Sequence, residues 1–330
     1  MQSVREIDGR GPLPIDRLMA EQQPTILRGA VMDWPLVAAG RRGTAAAMTY
    51  LRRFDAGHPV VAYSGPPAIG GRFFYTDDLT ALNFHAERAG LGGCLDRIAA
   101  TLEDSHADAI YIGSTDLDAY LPGLGEANPI GLSGKTPLVS IWIGNRTIAA
   151  THYDMSNNLA ACAVGRRRFT LFPPDQIANL YPGPLEPTPG GQVVSMVDLR
   201  APDLDRYPRF ADALAQSQVA ELEPGDMLFY PALWWHNVEA LDAFNVMINA
   251  WWNDSPPYMD TPMTTLLHAL LSLRDRPEPE KQAWRAMFDY YVFDGQAAAH
   301  LPEAAQGDLA PMDERRARAL RGAVLRRLNR

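Results

Sequence analysis

His152 and Asp154 stand two residues apart in ATHYDMSNN (150–158), a segment that reads as a strand running into a turn. In a strand, residues i and i+2 point to the same face, so an imidazole and a carboxylate at this spacing can converge on one point. A third ligand from another β segment would complete a metal site. The candidate is His236 in PGDMLFYPALWWHNVE. There Pro224–Gly225 predicts a turn, Asp226 to Tyr230 a strand, Pro231 a break and His236 the start of the next strand. Two histidines and one carboxylate, with positions left open, form the ligand set of non-haem Fe(II) oxygenases. A structural zinc site would favour four closed ligands, usually with thiolates, and neither Cys94 nor Cys162 lies in these two motifs.

His-x-acid alone is a weak signal, because roughly one such triplet is expected by chance in a chain with this many histidines and acids. Two others occur. His85–Ala86–Glu87 lies in the helix-like NFHAERAG, where i and i+2 diverge by about 200° and cannot share a ligand. His106–Ala107–Asp108 lies in a polar, loop-like stretch entering a strand. Both read as solvated surface pairs. For His152 and His236 the competing reading is a pair of hydrogen-bonded core histidines, which the triplet alone favours and the second motif outweighs.

The elements that must position these residues change in texture along the chain. Residues 1 to about 130 mix strand-like PTILRGAV, PVVAYSG and DAIYIGS with the helix-like GGCLDRIAATLEDS. Residues 131–255 are short, β-rich and punctuated by Gly, Pro, Asn and Asp. TPLVSIWIGN, TIAATHYD, NLAACAVG, RRFTLFPP, GQVVSMVDL, VAELEPGD, DMLFYPA, HNVEAL and NVMINAWW all read as strands, and many short strands indicate a barrel or jelly-roll sandwich. Residues 256–330 are helical, with MTTLLHALLSLRD, EKQAWRAMFDYYVFD and an arginine-rich end. The expected fold is mainly β: an α/β lead-in (1–130) packed on an all-β core (131–255), then a helical C-terminal region (256–330).

The chain of 330 residues is 47% hydrophobic and 21% charged, ordinary globular composition with length to bury a core and a pocket. Its net charge of -9 argues against broad nucleic-acid or anionic-membrane binding. The exception is the terminal DERRARALRGAVLRRLNR, which reads as a solvated amphipathic helix. Only Lys135 and Lys281 among the 30 basic residues are lysines. Two cysteines make no disulfide framework, the charged N-terminus is no secretory signal, and no stretch approaches a membrane span. The expected setting is the reduced cytoplasm.

The blocks THYDMSNNLAACAVGRRRFTLFPPDQIANLYP (151–182), EPGDMLFYPALWWHNVEAL (223–241) and NVMINAWW (245–252), and more weakly PTILRGAVMDWP (24–35), resemble the JmjC-type, cupin-like 2-oxoglutarate oxygenases. They resemble in particular the branch containing the asparaginyl hydroxylase that modifies hypoxia-inducible factor. The spacing Gly225, Pro231, His236 also fits the second cupin motif. The resemblance covers most of residues 20–255. It implies a double-stranded β-helix holding Fe(II) through His152, Asp154 and His236, with 2-oxoglutarate and O2 as cosubstrates. Succinate and CO2 are the coproducts of hydroxylating a C–H bond, and the protein mainly orients the substrate and shields the oxidant.

Supporting residues carry over one at a time. The family usually places a lysine for the 5-carboxylate of 2-oxoglutarate fifteen residues beyond the first ligand. Arg167 stands there, and Ala149 stands where relatives often have a serine or threonine. Arg167 reads as a replacement whose planar fork matches a carboxylate; the alternative is a surface arginine beside a decayed site. Tyr111 matches a tyrosine that donates to the 5-carboxylate, with a half-buried strand aromatic as its alternative. Asn158 and Asn249 match asparagines near the 1-carboxylate and the metal; an asparagine inside the apolar VMINAWW would be costly unless hydrogen-bonded. Trp251 resembles an aromatic lining the metal pocket, though core packing would also explain it. Thr151 should point to the opposite strand face.

The resemblance implies a protein or peptide side chain as substrate. A small molecule, or an N-methyl group lost after hydroxylation, would use the same chemistry. Competing classes are a cupin enzyme that uses its metal without 2-oxoglutarate, and an inactive binding module, whose broken ligand set the sequence does not show. Several relatives dimerise through C-terminal helices. The wide apolar faces of MTTLLHALLSL and AWRAMFDYYVF fit a homodimer, or a cap on the barrel of the same chain. Neither a membrane nor a nucleic acid is an expected partner.

Overall fold

The structure is a computed structural model that describes residues 1–295 and 297–329. Seven strands come first: β1 (Gln2–Ser3), β2 (Arg5–Asp8), β3 (Thr25–Arg28), β4 (Val60–Gly65), β5 (Arg72–Phe73), β6 (His85–Ala89) and β7 (Ala109–Asp116). Eight more follow: β8 (Leu138–Gly144), β9 (Ile148–Tyr153), β10 (Asn157–Val164), β11 (Arg167–Phe172), β12 (Gln218–Leu222), β13 (Met227–Tyr230), β14 (Trp235–Ala240) and β15 (Asn245–Trp252). These eight make two antiparallel layers, β13-β10-β15-β8 and β12-β11-β14-β9. The chain changes layer at every step except β11 to β12, which is the winding of a double-stranded β-helix. Lead-in strands extend the edges: β2-β3 and β7-β4-β6 complete a nine-stranded sheet, β1 and β5 a six-stranded one. The fold is mainly β and cupin-like, as the run of short strands implies.

Alternation decides what each face touches. β10 is buried along its whole length, as a near-continuous apolar run such as NLAACAV requires when both faces are covered. Ala160 and Cys162 join Phe169, Leu171, Leu228 and Met247 between the layers. Leu159, Ala161 and Ala163 face the other way, into a larger cluster with Leu36, Leu51 and Leu95. Those leucines come from the helices Pro35–Arg41, Thr44–Arg52 and Leu91–Ala99, and each such side chain contributes roughly 1.5–3 kcal/mol by leaving water.

A turn locks this arrangement to the lead-in. Gly225 has φ +113°, and a Cβ there would meet Met32 Cε at 2.9 Å, so only glycine suits the position. The adjacent Asp226 is buried and accepts from Gly29 N (2.9 Å), Glu223 N (3.1 Å) and Arg28 Nη1 (2.5 Å).

Two local expectations fail. GQVVSMVDL forms no strand; only Val194 and Ser195 make isolated bridges, to His152 and Pro182. HAERA is not helical but is the edge strand β6, paired with β4 from Val60↔Ala89 to Ser64↔His85. In both cases the availability of a neighbouring strand overrides the local pattern.

Residues Met1–Asn253 form one compact unit and Asp254–Arg330 a second. The second holds the helices Pro262–Ser272, Glu278–Phe288 and Glu314–Leu328. Asp313 caps the last of these by accepting from Arg316 N at 2.7 Å, and proline stands at the start of the first two. None of the three buries a residue. Among the described residues no helix is long and apolar enough to cross a membrane.

Candidate metal centre

β9 and β14 pair so that His152 lies directly opposite His236 and Tyr153 opposite Trp235. The two imidazoles are 4.3 Å apart between centroids and tilted by 54°. Asp154 follows β9 by one residue and brings Oδ2 to 3.6 Å from His236 Nε2. One ligand atom from each of the three lies within 4.8 Å of the others, the only such grouping of His, Cys, Asp and Glu among the described residues.

Backbone carbonyls set the state of both rings. His152 Nδ1 meets Ala150 O at 2.8 Å and His236 Nδ1 meets Trp234 O at 3.0 Å. A carbonyl only accepts, so Nδ1 carries the hydrogen in each ring and Nε2 keeps its lone pair for a cation. His236 is 2% exposed. Burial, reinforced by the neighbouring His152, pushes its pKa down to about 4, so near neutral pH the ring is the uncharged form that a metal needs.

Asp154 is oriented by side chains of the opposite layer. Asn158 Nδ2 donates to its Oδ2 at 3.2 Å. Asn158 Oδ1 in turn accepts from Asn249 Nδ2 at 3.2 Å and from Trp251 Nε1, and Asn249 Oδ1 accepts from Trp142 Nε1 at 2.6 Å. An indole only donates, so the two tryptophans fix which way both amides point and aim the Asn158 amide N–H at the carboxylate. The backbone contributes too: Leu233 N donates to Asp154 O at 2.8 Å, tying the loop before His236 to the other ligands. Leu233 does so at φ +66°, a left-handed conformation that costs a branched residue about 1–2 kcal/mol.

Arg167 opens β11 between Leu222 and Ala240. It is 3% exposed, so it is not a surface arginine. It falls on the same strand face as Phe169 and Leu171, which pack between the layers. Its Nε is buried without a hydrogen-bond partner, and no carboxylate among the described residues pairs with it. Burial lowers its pKa from the ordinary arginine value. An ion buried without a counter-charge costs several kcal/mol, and an anion brought into the barrel would offset it. Tyr111 is half-buried on β7, its ring 5.8 Å from those of Phe73 and Trp142. Burial raises its pKa, opposed by the charge of Arg167.

The metal triad, Tyr111, Asn249 and Trp251 border one cavity of about 550 Å³, whereas Arg167 and Asn158 do not line it. Thr151 does not, consistent with its opposite face. Three features of this wall escape sequence reasoning: Tyr230, Trp142 and the segment 188–192. Tyr230 and Trp142 carry a signal in hindsight, since both stand at inward positions of their strands, whereas segment 188–192 carries none. The remaining triplets gather no third ligand among the described residues. Glu87 pairs with Arg97 instead, and His106 lies exposed in a loop.

The family described as "Cupin-like domain" matches residues 13–258. The chain is 34% identical over 129 residues to Lysine-specific demethylase JMJ31 of Arabidopsis thaliana, covering 37% of this chain and 23% of that protein. It is 40% identical over 106 residues to tRNA wybutosine-synthesizing protein 5 of Danio rerio, covering 32% and 29%. It is 34% identical over 150 residues to HSPB1-associated protein 1 of Homo sapiens, covering 44% and 30%. The matched stretch thus spans less than a third of the length of each relative.

Proposed function

The chain belongs to the cupin-like domain family, and from that premise we propose that it is an Fe(II)- and 2-oxoglutarate-dependent oxygenase that hydroxylates a C–H bond, with a side chain of a protein or peptide as substrate. One observation carries the reading: a three-ligand cluster and a buried cation without a counter-ion share one barrel. Both fit the groups they would hold. A nitrogen and carboxylate donor set suits Fe(II) and leaves coordination positions open, and the unpaired guanidinium suits a carboxylate.

His152, Asp154 and His236 would ligate the metal, and Arg167 with Tyr111 would hold the distal carboxylate of 2-oxoglutarate. When bound, the iron supplies the oxidising chemistry, in which 2-oxoglutarate, O2 and R–H become succinate, CO2 and R–OH. The chain's own groups hold the geometry. Asn158 keeps the Asp154 carboxylate turned to the two imidazoles, and the rings of Phe73, Tyr111, Trp142 and Trp251 make an apolar wall that excludes water. Hydroxylation of an N-methyl group or of a small molecule would use the same machinery. Formation of succinate that requires Fe(II), 2-oxoglutarate and O2 together tests the proposal. Turnover without 2-oxoglutarate would favour a cupin enzyme that uses its metal alone.

We propose further that residues 254–330 carry a homodimer surface. Their three α-helices hold no fully buried residue, and Leu271 and Phe293 are 80% and 74% exposed, apolar side chains that a second copy would cover.

A further inference from the structure

We propose that Tyr230 is a hydrogen-bond donor to the 2-oxo acid held in the cavity, an assignment that rests on the oxygenase reading above. Tyr230 ends β13 opposite Asn158 and turns inward with Leu228. Its ring centroid is 4.7 Å from that of His236 and 5.9 Å from that of Phe169. It therefore stands between a metal ligand and the strand that begins with Arg167. The residue is 3% exposed and borders the cavity, yet its hydroxyl has no hydrogen-bond partner among the described residues. The hydroxyl opens on the cavity, where a residue that only filled space would serve as well as phenylalanine.

The surroundings name the acceptor. Tyr230 and Tyr111 both border the cavity, and Arg167 shares the inward face of β11 with Phe169, whose ring packs against that of Tyr230, so two phenols and a guanidinium lie on the barrel interior near the ligands. All three are donors toward a carboxylate or keto oxygen. Across the cavity on β9, Ala149 presents only a methyl group.

Tyr230→Phe removes the hydroxyl and little else. Calorimetric titration of the Mn(II)-loaded protein with 2-oxoglutarate is expected to show affinity weakened about tenfold in the variant, with the affinity for Mn(II) unchanged. Equal 2-oxoglutarate affinity in the variant and the parent protein overturns the assignment and leaves the oxygenase reading standing. A fall in Mn(II) affinity alone also overturns it, because Tyr230 would then only support His236. A parent protein that binds Mn(II) but no 2-oxoglutarate overturns the oxygenase reading and this assignment together.

Discussion

His152 and His236 form a directly opposed pair in the β9–β14 ladder, their Nδ1 atoms held by the carbonyls of Ala150 and Trp234. The metal centre is therefore a property of strand register. A slip of one residue would turn one imidazole to the far side of the sheet, away from the other two ligands.

Asp154 is the only anionic member of the cluster. Asp154→Ala is expected to abolish iron binding, read as metal content by mass spectrometry after loading and desalting. Retention of a full equivalent of iron would remove Asp154 from the ligand set.

Arg167→Met replaces a buried, unpaired ion by an apolar side chain of similar length. Two opposite shifts are expected. Urea unfolding of the metal-free variant should show stability raised by about 1–4 kcal/mol, because the desolvation penalty is gone. Binding of 2-oxoglutarate should weaken by roughly 2–5 kcal/mol with iron affinity intact. Unchanged 2-oxoglutarate affinity would exclude the residue from the site.

Asn158→Leu breaks the relay at its centre. It deprives Asp154 of a donor and strands the N–H groups of Asn249 and Trp251. Destabilisation of about 1–3 kcal/mol per stranded group is expected in urea. Iron affinity should fall on the order of 10–100-fold, as when other supports of a metal ligand are lost. An intact affinity would show that Asp154 needs no orientation.

Light scattering on the full chain is expected to give twice the monomer mass. Leu271→Glu combined with Phe293→Glu should return it to the monomer while iron binding persists. A parent protein that is monomeric at every accessible concentration would exclude the homodimer.

How far the sequence reached varied with the kind of information each residue carries. His152 and Asp154 were legible because a period of two fixes a shared face from local pattern alone, and His236 because the turn at Gly225 and the break at Pro231 set where β14 starts. Asn158 and Asn249 were legible as polar residues in apolar strands, which must bond to something. The burial of Arg167 was not, because it depends on two layers closing over β11, and a chain that uses arginine almost to the exclusion of lysine gives the residue no distinction. Tyr230 was missed for the same reason, its neighbours coming from distant segments. GQVVSMVDL and HAERA misled because strand formation depends on the partner that tertiary structure supplies, which neither segment encodes.

The most direct test is anaerobic titration of the Fe(II)-loaded protein with 2-oxoglutarate, followed by admission of air. A weak visible charge-transfer band that grows to saturation, then succinate on aeration, is the result predicted by a metal held by His152, Asp154 and His236 beside a carboxylate held by Arg167. Iron bound with no band at any 2-oxoglutarate concentration and no succinate in air would contradict it.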